Sequence, residues 1–183
     1  MRTVLVTGIG GNVGQGILRN VRSFDASIRL IGTEVRYPTP GNFLCDNSYQ
    51  APVATAETYI PFIREICDKE KIELIIPSTD VEGYCLSIAS KSLPLLAYSP
   101  PETSLIFWDK YLTWRHFLKS NVIFAESCLP SEWKNQFDEF IVKPRKGQGS
   151  KSLHLNPATV TQFSDDFVIQ KLYAGIEITT GFY

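Results

Sequence analysis

Short apolar runs rich in β-branched residues alternate with stretches of helical spacing through the first hundred residues. Thr3–Thr7 is predicted as a buried strand, and the apolar positions that follow recur at the spacing of a helix. Further strands are predicted at 28–32, 73–77 and 93–98, and helices at 55–71 and from Ser78 through Ile88, with a loop at 37–52. Because Pro61 falls early in the helix at 55–71, a start at Ile60 is the alternative to a start capped by Thr55. This alternation predicts a parallel sheet that is covered by helices on both faces.

The pattern changes after Pro101 to one helix and several short strands. The helix is predicted at 109–120, the strands at 122–125, 139–143, 152–155 and 167–172, and a further helix start at Asn156-Pro157. We therefore predict an α/β fold in two domains, a parallel-sheet domain over residues 1–104 and a smaller α+β unit over residues 105–183.

Glycines follow the first predicted strand at intervals of three, as Gly8, Gly11 and Gly14. Glu34 lies just past the end of the next predicted strand, twenty residues beyond Gly14, which outlines a dinucleotide-binding unit. The alternative is a tight strand-to-helix turn that needs glycine for backbone reasons alone and binds no cofactor. The partner signals of a reductase are missing, since no tyrosine has a lysine four residues later. A Walker A loop is excluded because Ile17 follows Gly16.

Polar residues collect where the predicted parallel strands end, which is where ligands bind in such sheets. Asn12 lies in the glycine turn after the first strand, and Glu34 follows the second. Thr79, Asp80 and Glu82 follow the strand at 73–77. For Asp80 and Glu82 the alternative is a purely structural role, because negative charge stabilises a helix N-terminus.

A basic loop lies between residues 140 and 152. Lys143, Arg145, Lys146 and Lys151 place four cations within nine residues, and Gly147 and Gly149 leave the backbone open to an anion, with hydroxyls at Ser150 and Ser152. Backbone N–H groups in such a turn can cradle an anion while lysines supply charge for phosphates. The alternative is an exposed basic hairpin turn.

The composition of the chain argues against several classes of binding partner. The 183 residues carry a formal net charge of −1, so no overall positive field favours nucleic acid. The sequence shows no apolar run long enough for a membrane span and no signal-peptide pattern at its N-terminus, so we expect a cytoplasmic protein without a membrane partner. The four cysteines are scattered and there are two histidines, so no metal site is expected in this chain.

These motifs, in this order, resemble the ATP-grasp enzymes, especially the large subunit of carbamoyl-phosphate synthase and related carboxylate–amine ligases. The glycine turn is similar to the start of the family's Rossmann-like pre-ATP-grasp domain, and Ile75–Glu82 to its later strand-to-loop motif. Asp109-Lys110 looks like the opening of the ATP-grasp domain. Residues 141–150 look like the lid strand and its glycine loop, and residues 168–177 like the adenine-binding hinge.

The resemblance implies ATP as the nucleotide and assigns roles along the chain. Lys110 and Lys143 would contact phosphates, the loop from Lys146 to Ser150 would close over them, Lys171 and Tyr173 would present backbone groups to adenine, and Glu177 would bind ribose. The full implied ATP set is Lys110, Lys143, Arg145, Lys146, Gly147, Gly149, Ser150, Lys171, Tyr173 and Glu177. The implied substrate-side set is Gly8, Gly11, Asn12, Gly14, Glu34, Thr79, Asp80 and Glu82. Many relatives carry an acid in place of Lys171.

The implied reaction is activation of a small-molecule carboxylate by ATP to an acyl phosphate, which an amine or ammonia then attacks. The Mg²⁺ ligands of the family lie beyond the position of Tyr183, so we expect an incomplete ATP-grasp domain that does not turn over alone, from a shortened chain or a split gene. A homodimer is compatible with the family. The alternatives are a non-catalytic nucleotide-binding or partner subunit and, less favoured, an NAD(P)-binding oxidoreductase or epimerase.

Overall fold

The computed structural model describes residues 2–147 and 152–176. The chain divides into two compact units, Met1–Leu105 and Ile106–Tyr183. Among the described residues, no helix combines the length and the apolar character that crossing a bilayer requires.

The first unit is built on five parallel strands. They are β1 (Thr3–Thr7), β2 (Arg29–Glu34), β3 (Asn47–Gln50), β4 (Leu74–Ile76) and β5 (Leu95–Leu96), in the spatial order β3-β2-β1-β4-β5. The helices between them are α1 (Asn12–Phe24), α2 (Tyr59–Glu70) and α3 (Asp80–Ile88), and α4 (Pro101–Trp108) follows β5. The predicted parallel α/β sheet is confirmed.

Both faces of this sheet are covered because side chains alternate along the buried strands. In β1, Leu5 packs with Ile31, Tyr59 and Ile63 in one cluster that α2 and α3 cover. Val4 and Val6 belong to a second cluster, which includes Leu18 of α1.

Two boundaries in the first unit differ from the predicted ones. The helix predicted from Thr55 begins at Tyr59, because residues 53–58 form turns, with Tyr59 N–H donating to Ala56 C=O. The predicted loop at 37–52 contains β3, a polar edge strand that lacks the apolar run by which strands are recognised.

The second unit contains an antiparallel sheet. Its strands are β6 (Ser127–Cys128), β7 (Phe140–Pro144), β8 (His154–Leu155) and β9 (Phe167–Lys171), ordered β6-β9-β7-β8. Helix α5 (Lys110–Lys119) precedes them. One sheet face is apolar, with Val142 and Ile169 packed against Phe137 and Val160.

Two predictions for the second unit are wrong. Val122–Ala125 is no strand: Val122 N–H donates to Phe117 C=O and the Phe124 ring packs on Phe117, so this segment closes the end of α5. No helix starts at Asn156, because its N–H and side-chain Oδ1 both bond the backbone of Phe140 and cannot cap a helix.

A charged network ties the amino-terminal end of the first sheet to α2. Glu70 is buried and accepts from Arg29 at 2.5 Å, from Asn47 at 2.9 Å, and from the hydroxyl of Tyr49. The Tyr49 hydroxyl, then Arg29 and Asn47, hold the pKa of Glu70 below its usual value. Stabilisation by this carboxylate is therefore complete above its unfolded-state pKa and is lost as the pH falls through its folded-state pKa.

We expect Glu70→Gln to lower the free energy of unfolding by about 1–2 kcal/mol at pH 7, because charge-assisted hydrogen bonds are lost. The difference from the wild type should shrink as the pH falls through the lowered pKa of Glu70, because the wild-type carboxylate then becomes protonated. Urea titrations at pH 7 and at acid pH measure this difference, with the exposed Glu65→Gln on the same helix as the control. An equal loss at both pH values would contradict the charged network.

Candidate functional site

The glycine turn of the first unit requires glycine for its backbone. Gly8 has φ +65°, and its C=O accepts from the Ser78 hydroxyl at 2.9 Å. A Cβ on Gly14 would lie 2.5 Å from that same carbonyl oxygen. Gly11 precedes α1 as its N-cap, and Asn12 is the exposed first residue of the helix. Gly8 and Gly14 therefore have a structural reason that needs no cofactor, whereas a Cβ on Gly11 would make only an ordinary contact, 3.8 Å from the Gly8 carbonyl oxygen.

Glu34 turns back onto this loop. One of its oxygens accepts the Gly10 N–H at 2.6 Å, and the other accepts the N–H of Val35 at 2.9 Å. The carboxylate that resembles a ribose-binding acid in sequence thus fixes the loop that follows its own strand and the glycine turn.

Glu82 is a buried carboxyl at the same edge of the sheet. It accepts from the Thr79 hydroxyl at 2.7 Å and from the Tyr59 hydroxyl at 3.2 Å. Burial, which outweighs these hydrogen bonds, raises the pKa of Glu82, and the charge of Glu34 adds to the effect. Thr79 caps α3 and Asp80 is its exposed first residue, so these side chains also stabilise the helix start.

In the second unit, Lys143 lies half-buried on the sheet face opposite the apolar cluster. Its Nζ donates to Gln170 Oε1 at 2.7 Å. Burial, and then the neighbouring charge of Lys110, lower the pKa of Lys143. Lys110 Nζ donates to the carbonyl oxygens of Gly147 at 2.9 Å and Arg145 at 3.3 Å. The structure therefore brings together two of the predicted phosphate ligands.

Arg145 is held by a buried acid. Its Nε and Nη2 contact the two oxygens of Asp109 at 3.1 and 2.7 Å, and its Nη1 donates to Asp165 C=O at 3.0 Å. Asp109 is 1% exposed and also caps α5. These contacts engage all three guanidinium nitrogens, so Arg145 joins the start of α5 to the end of β7; its contact with ATP stays a prediction.

Lys171 and Tyr173, the predicted adenine-binding residues, make hydrogen bonds to Glu126. The N–H of Lys171 donates to Glu126 C=O at 2.9 Å, which limits its predicted adenine contact to its C=O. The Lys171 ammonium and the Tyr173 hydroxyl both lie 3.2 Å from Glu126 Oε1.

The predicted lid falls only partly within the described residues. The Lys146 ammonium lies 5.0 Å from the centre of the Trp108 ring. Gly147 contributes the carbonyl that Lys110 binds. The predicted ligands Gly149, Ser150 and Glu177 lie outside the described residues.

Sequence reasoning missed the side chains that organise these residues. Ser127 and Gln170 carry no motif signal, and nothing in the sequence marks Tyr59 as the partner of Glu82. Asp109 was recognised as part of a motif but not as the partner of Arg145. In residues 2–147 and 152–176, no three His, Cys, Asp or Glu side chains are grouped so that they could hold a metal ion.

Comparison with known proteins gives a match to one family and many solved structures. Residues 4–94 match the family described as PylC-like, N-terminal domain. No curated protein matches the chain.

Three solved structures illustrate the similarity of fold. N5-carboxyaminoimidazole synthetase from Staphylococcus aureus, complexed with ADP, has a TM-score of 0.73 at 14% identity over 96% of this chain and 48% of that one. L-amino acid ligase from Bacillus licheniformis has a TM-score of 0.69 at 9% identity, over 94% of this chain and 44% of that one. The third is the biotin carboxylase domain dimer of Hydrogenobacter thermophilus 2-oxoglutarate carboxylase, solved with MgADP, ADP and bicarbonate. It has a TM-score of 0.66 at 13% identity, over 93% of this chain and 44% of that one. This chain spans about half the length of these structures.

We expect Arg145→Met to destabilise the second unit by about 3–5 kcal/mol, because it leaves the Asp109 carboxylate buried without its partner. Arg115→Met is the control, since Arg115 also lies over the Tyr111 ring but is exposed. Denaturant titration of both variants measures the difference. Unchanged stability in Arg145→Met would remove the structural role assigned to this ion pair.

Proposed function

We propose that this chain, which has the fold of the N-terminal part of the ATP-grasp superfamily, binds ATP and belongs to a ligase that activates a carboxylate. The observation that carries the proposal is the half-buried ammonium of Lys143 beside Lys110. Like charges that lie close together repel each other, and an anion bound beside them offsets this repulsion. A nucleoside polyphosphate supplies that anion.

The described residues fit this ligand. Lys110 and Lys143 would neutralise phosphate charge, and Lys146 and Gly147 lie at the start of the loop that resembles the lid. Arg145 would act indirectly, because Asp109 holds its guanidinium. Gly149, Ser150 and Glu177, together with backbone groups of Lys171 and Tyr173, complete the proposed site.

When ATP is bound, it supplies a phosphoryl group that turns a carboxylate into an acyl phosphate, which an amine or ammonia can attack. Catalysis of phosphoryl transfer consists mostly of positioning and charge stabilisation. Lys110 and Lys143 contribute fixed positive charge where negative charge develops. Mg²⁺ belongs to this proposal as a companion of ATP, but the described residues offer no cluster that could hold it, so the roles proposed here involve the lysines and the backbone.

We also propose that residues 1–104 form the substrate-facing domain and residues 105–183 the first part of the nucleotide-binding domain. The substrate-side residues would be Gly8, Gly11, Asn12, Gly14, Glu34, Thr79, Asp80 and Glu82. Glu34 and Glu82 would act mainly by fixing the glycine turn and the start of α3, because their carboxylate oxygens already accept hydrogen bonds within the first unit.

Within this class, a reaction like that of the carbamoyl-phosphate synthase large subunit is our finer hypothesis, with bicarbonate as the carboxylate and ammonia as the amine. The solved structures with a similar fold include a biotin carboxylase domain with bicarbonate and an L-amino acid ligase. ADP release by the whole protein, measured with bicarbonate and with amino acids in parallel, distinguishes these carboxylates. A cytoplasmic location and a homodimer are further hypotheses.

We expect Lys143→Met to weaken binding of MgADP about ten- to hundredfold, because a hydrogen bond between two charged groups contributes about 1.5–3 kcal/mol. Titration calorimetry on this chain measures the affinity. Lys134→Met, which removes an exposed lysine of the same unit, should leave the affinity unchanged.

Binding of NADH in preference to ATP would instead support the oxidoreductase alternative. Tight ATP binding by a whole protein that releases no ADP with any carboxylate would support the non-catalytic alternative.

A further inference from the structure

A chain of hydrogen bonds through two side chains, Gln170 and Ser127, holds the ammonium of Lys143. Lys143 Nζ donates to Gln170 Oε1 at 2.7 Å, and Gln170 Nε2 donates to Ser127 Oγ at 3.1 Å. Ser127 in turn donates to Ala125 C=O at 3.0 Å. The chain therefore ends on a backbone carbonyl, which cannot rotate independently.

The register of the sheet places these side chains together. Gln170 of β9 lies opposite Ser127 of β6 on one side and opposite Ile141 of β7 on the other. Lys143 is two residues beyond Ile141, so it points to the same face. A one-residue slip in any of these strands would move its side chain to the apolar face.

The donor-to-acceptor direction of these hydrogen bonds fixes the orientation of the Gln170 side-chain amide. Ser127 is 2% exposed, and because its hydroxyl hydrogen is used by Ala125, its oxygen is left to accept. Gln170 must then present its NH₂ to Ser127 and its carbonyl oxygen to Lys143. A carbonyl oxygen orients an ammonium group without neutralising its charge.

A second lysine in the same sheet, at the end of β9, provides the contrast. Lys171 forms an ion pair with Glu126, 3.2 Å apart, so its charge is compensated. Within the described part of the chain, Lys143 makes no salt bridge, and its partner is a neutral amide. Among the described residues, Lys171 therefore has a charged partner and Lys143 has a neutral one.

We propose that Gln170 is a positioning residue that aims the Lys143 ammonium at the bound phosphates while leaving its full charge available to them. This inference rests on the proposed ATP-binding function. Ser127 supports it by fixing the amide.

The first experiment needs no nucleotide. The pKa of Lys143 is measured by NMR titration of the ¹³Cε signals of lysine in the wild type, Gln170→Glu and Gln170→Met. In Gln170→Glu the pKa should rise by about one pH unit or more, because an opposite charge favours the ammonium. In Gln170→Met it should fall below the wild-type value, because the acceptor is gone. Gln162→Glu adds the same charge at an exposed position and should change nothing.

The second experiment measures MgADP affinity by calorimetry in the same variants. Gln170→Glu should bind about tenfold more weakly or worse, since the new carboxylate competes with phosphate for Lys143. In the Lys143→Met background the same substitution should have a much smaller effect, because the two residues act through one interaction.

The two experiments separate the proposals. If the wild type binds no nucleotide while the Lys143 pKa responds as expected, the proposed function fails and the Lys143–Gln170 arrangement stands. If the wild type binds MgADP but Gln170→Glu changes neither the pKa nor the affinity, the positioning role is overturned. An equal affinity loss with and without Lys143 also overturns it, because the substitution would then act by general disruption.

Discussion

The buried Asp109 carboxylate and its ion pair with Arg145 bring Lys110 to the end of β7. Asp109 caps α5 and is 1% exposed, so its charge needs a partner, and Arg145 supplies one from the end of β7. This pairing brings the first turn of the helix to the strand end, where Lys110 N–H and Nζ both bond Arg145 C=O. Lys110 thereby comes close enough to Lys143 for its charge to lower the pKa of that lysine.

A different constraint governs the first unit. The turn after β1 brings Gly14 against the carbonyl of Gly8 so closely that a side chain would collide, and hydrogen bonds from Ser78 and to Glu34 fix the loop on either side. Two acidic side chains at this edge are bound within the unit: Glu34 accepts from the backbone N–H of Gly10, and Glu82 accepts from the Thr79 hydroxyl. Polar residues at strand ends therefore need not face a ligand, even in a fold that binds ligands at this edge.

The two units illustrate opposite uses of charge. Glu70 gains stability from several partners that compensate its buried carboxylate. Lys143 is half-buried with a neutral partner, Gln170, so its charged form is destabilised and its pKa is lowered. Groups with a perturbed pKa cluster at functional sites, and a cation without a charged partner among the described residues is suited to an anionic ligand, which is the physical basis of the proposed ATP site.

The sequence by itself determined the parallel α/β sheet, the order of the motifs and the resemblance to ATP-grasp enzymes, because periodicity and glycine spacing are local properties. It could not determine that Arg145 is bound by Asp109, thirty-six residues earlier, or that Gln170 holds Lys143. It also misplaced a helix start at Asn156, whose side chain bonds a strand instead. Such pairings depend on strand register and on which distant segments meet, and only the tertiary structure decides these.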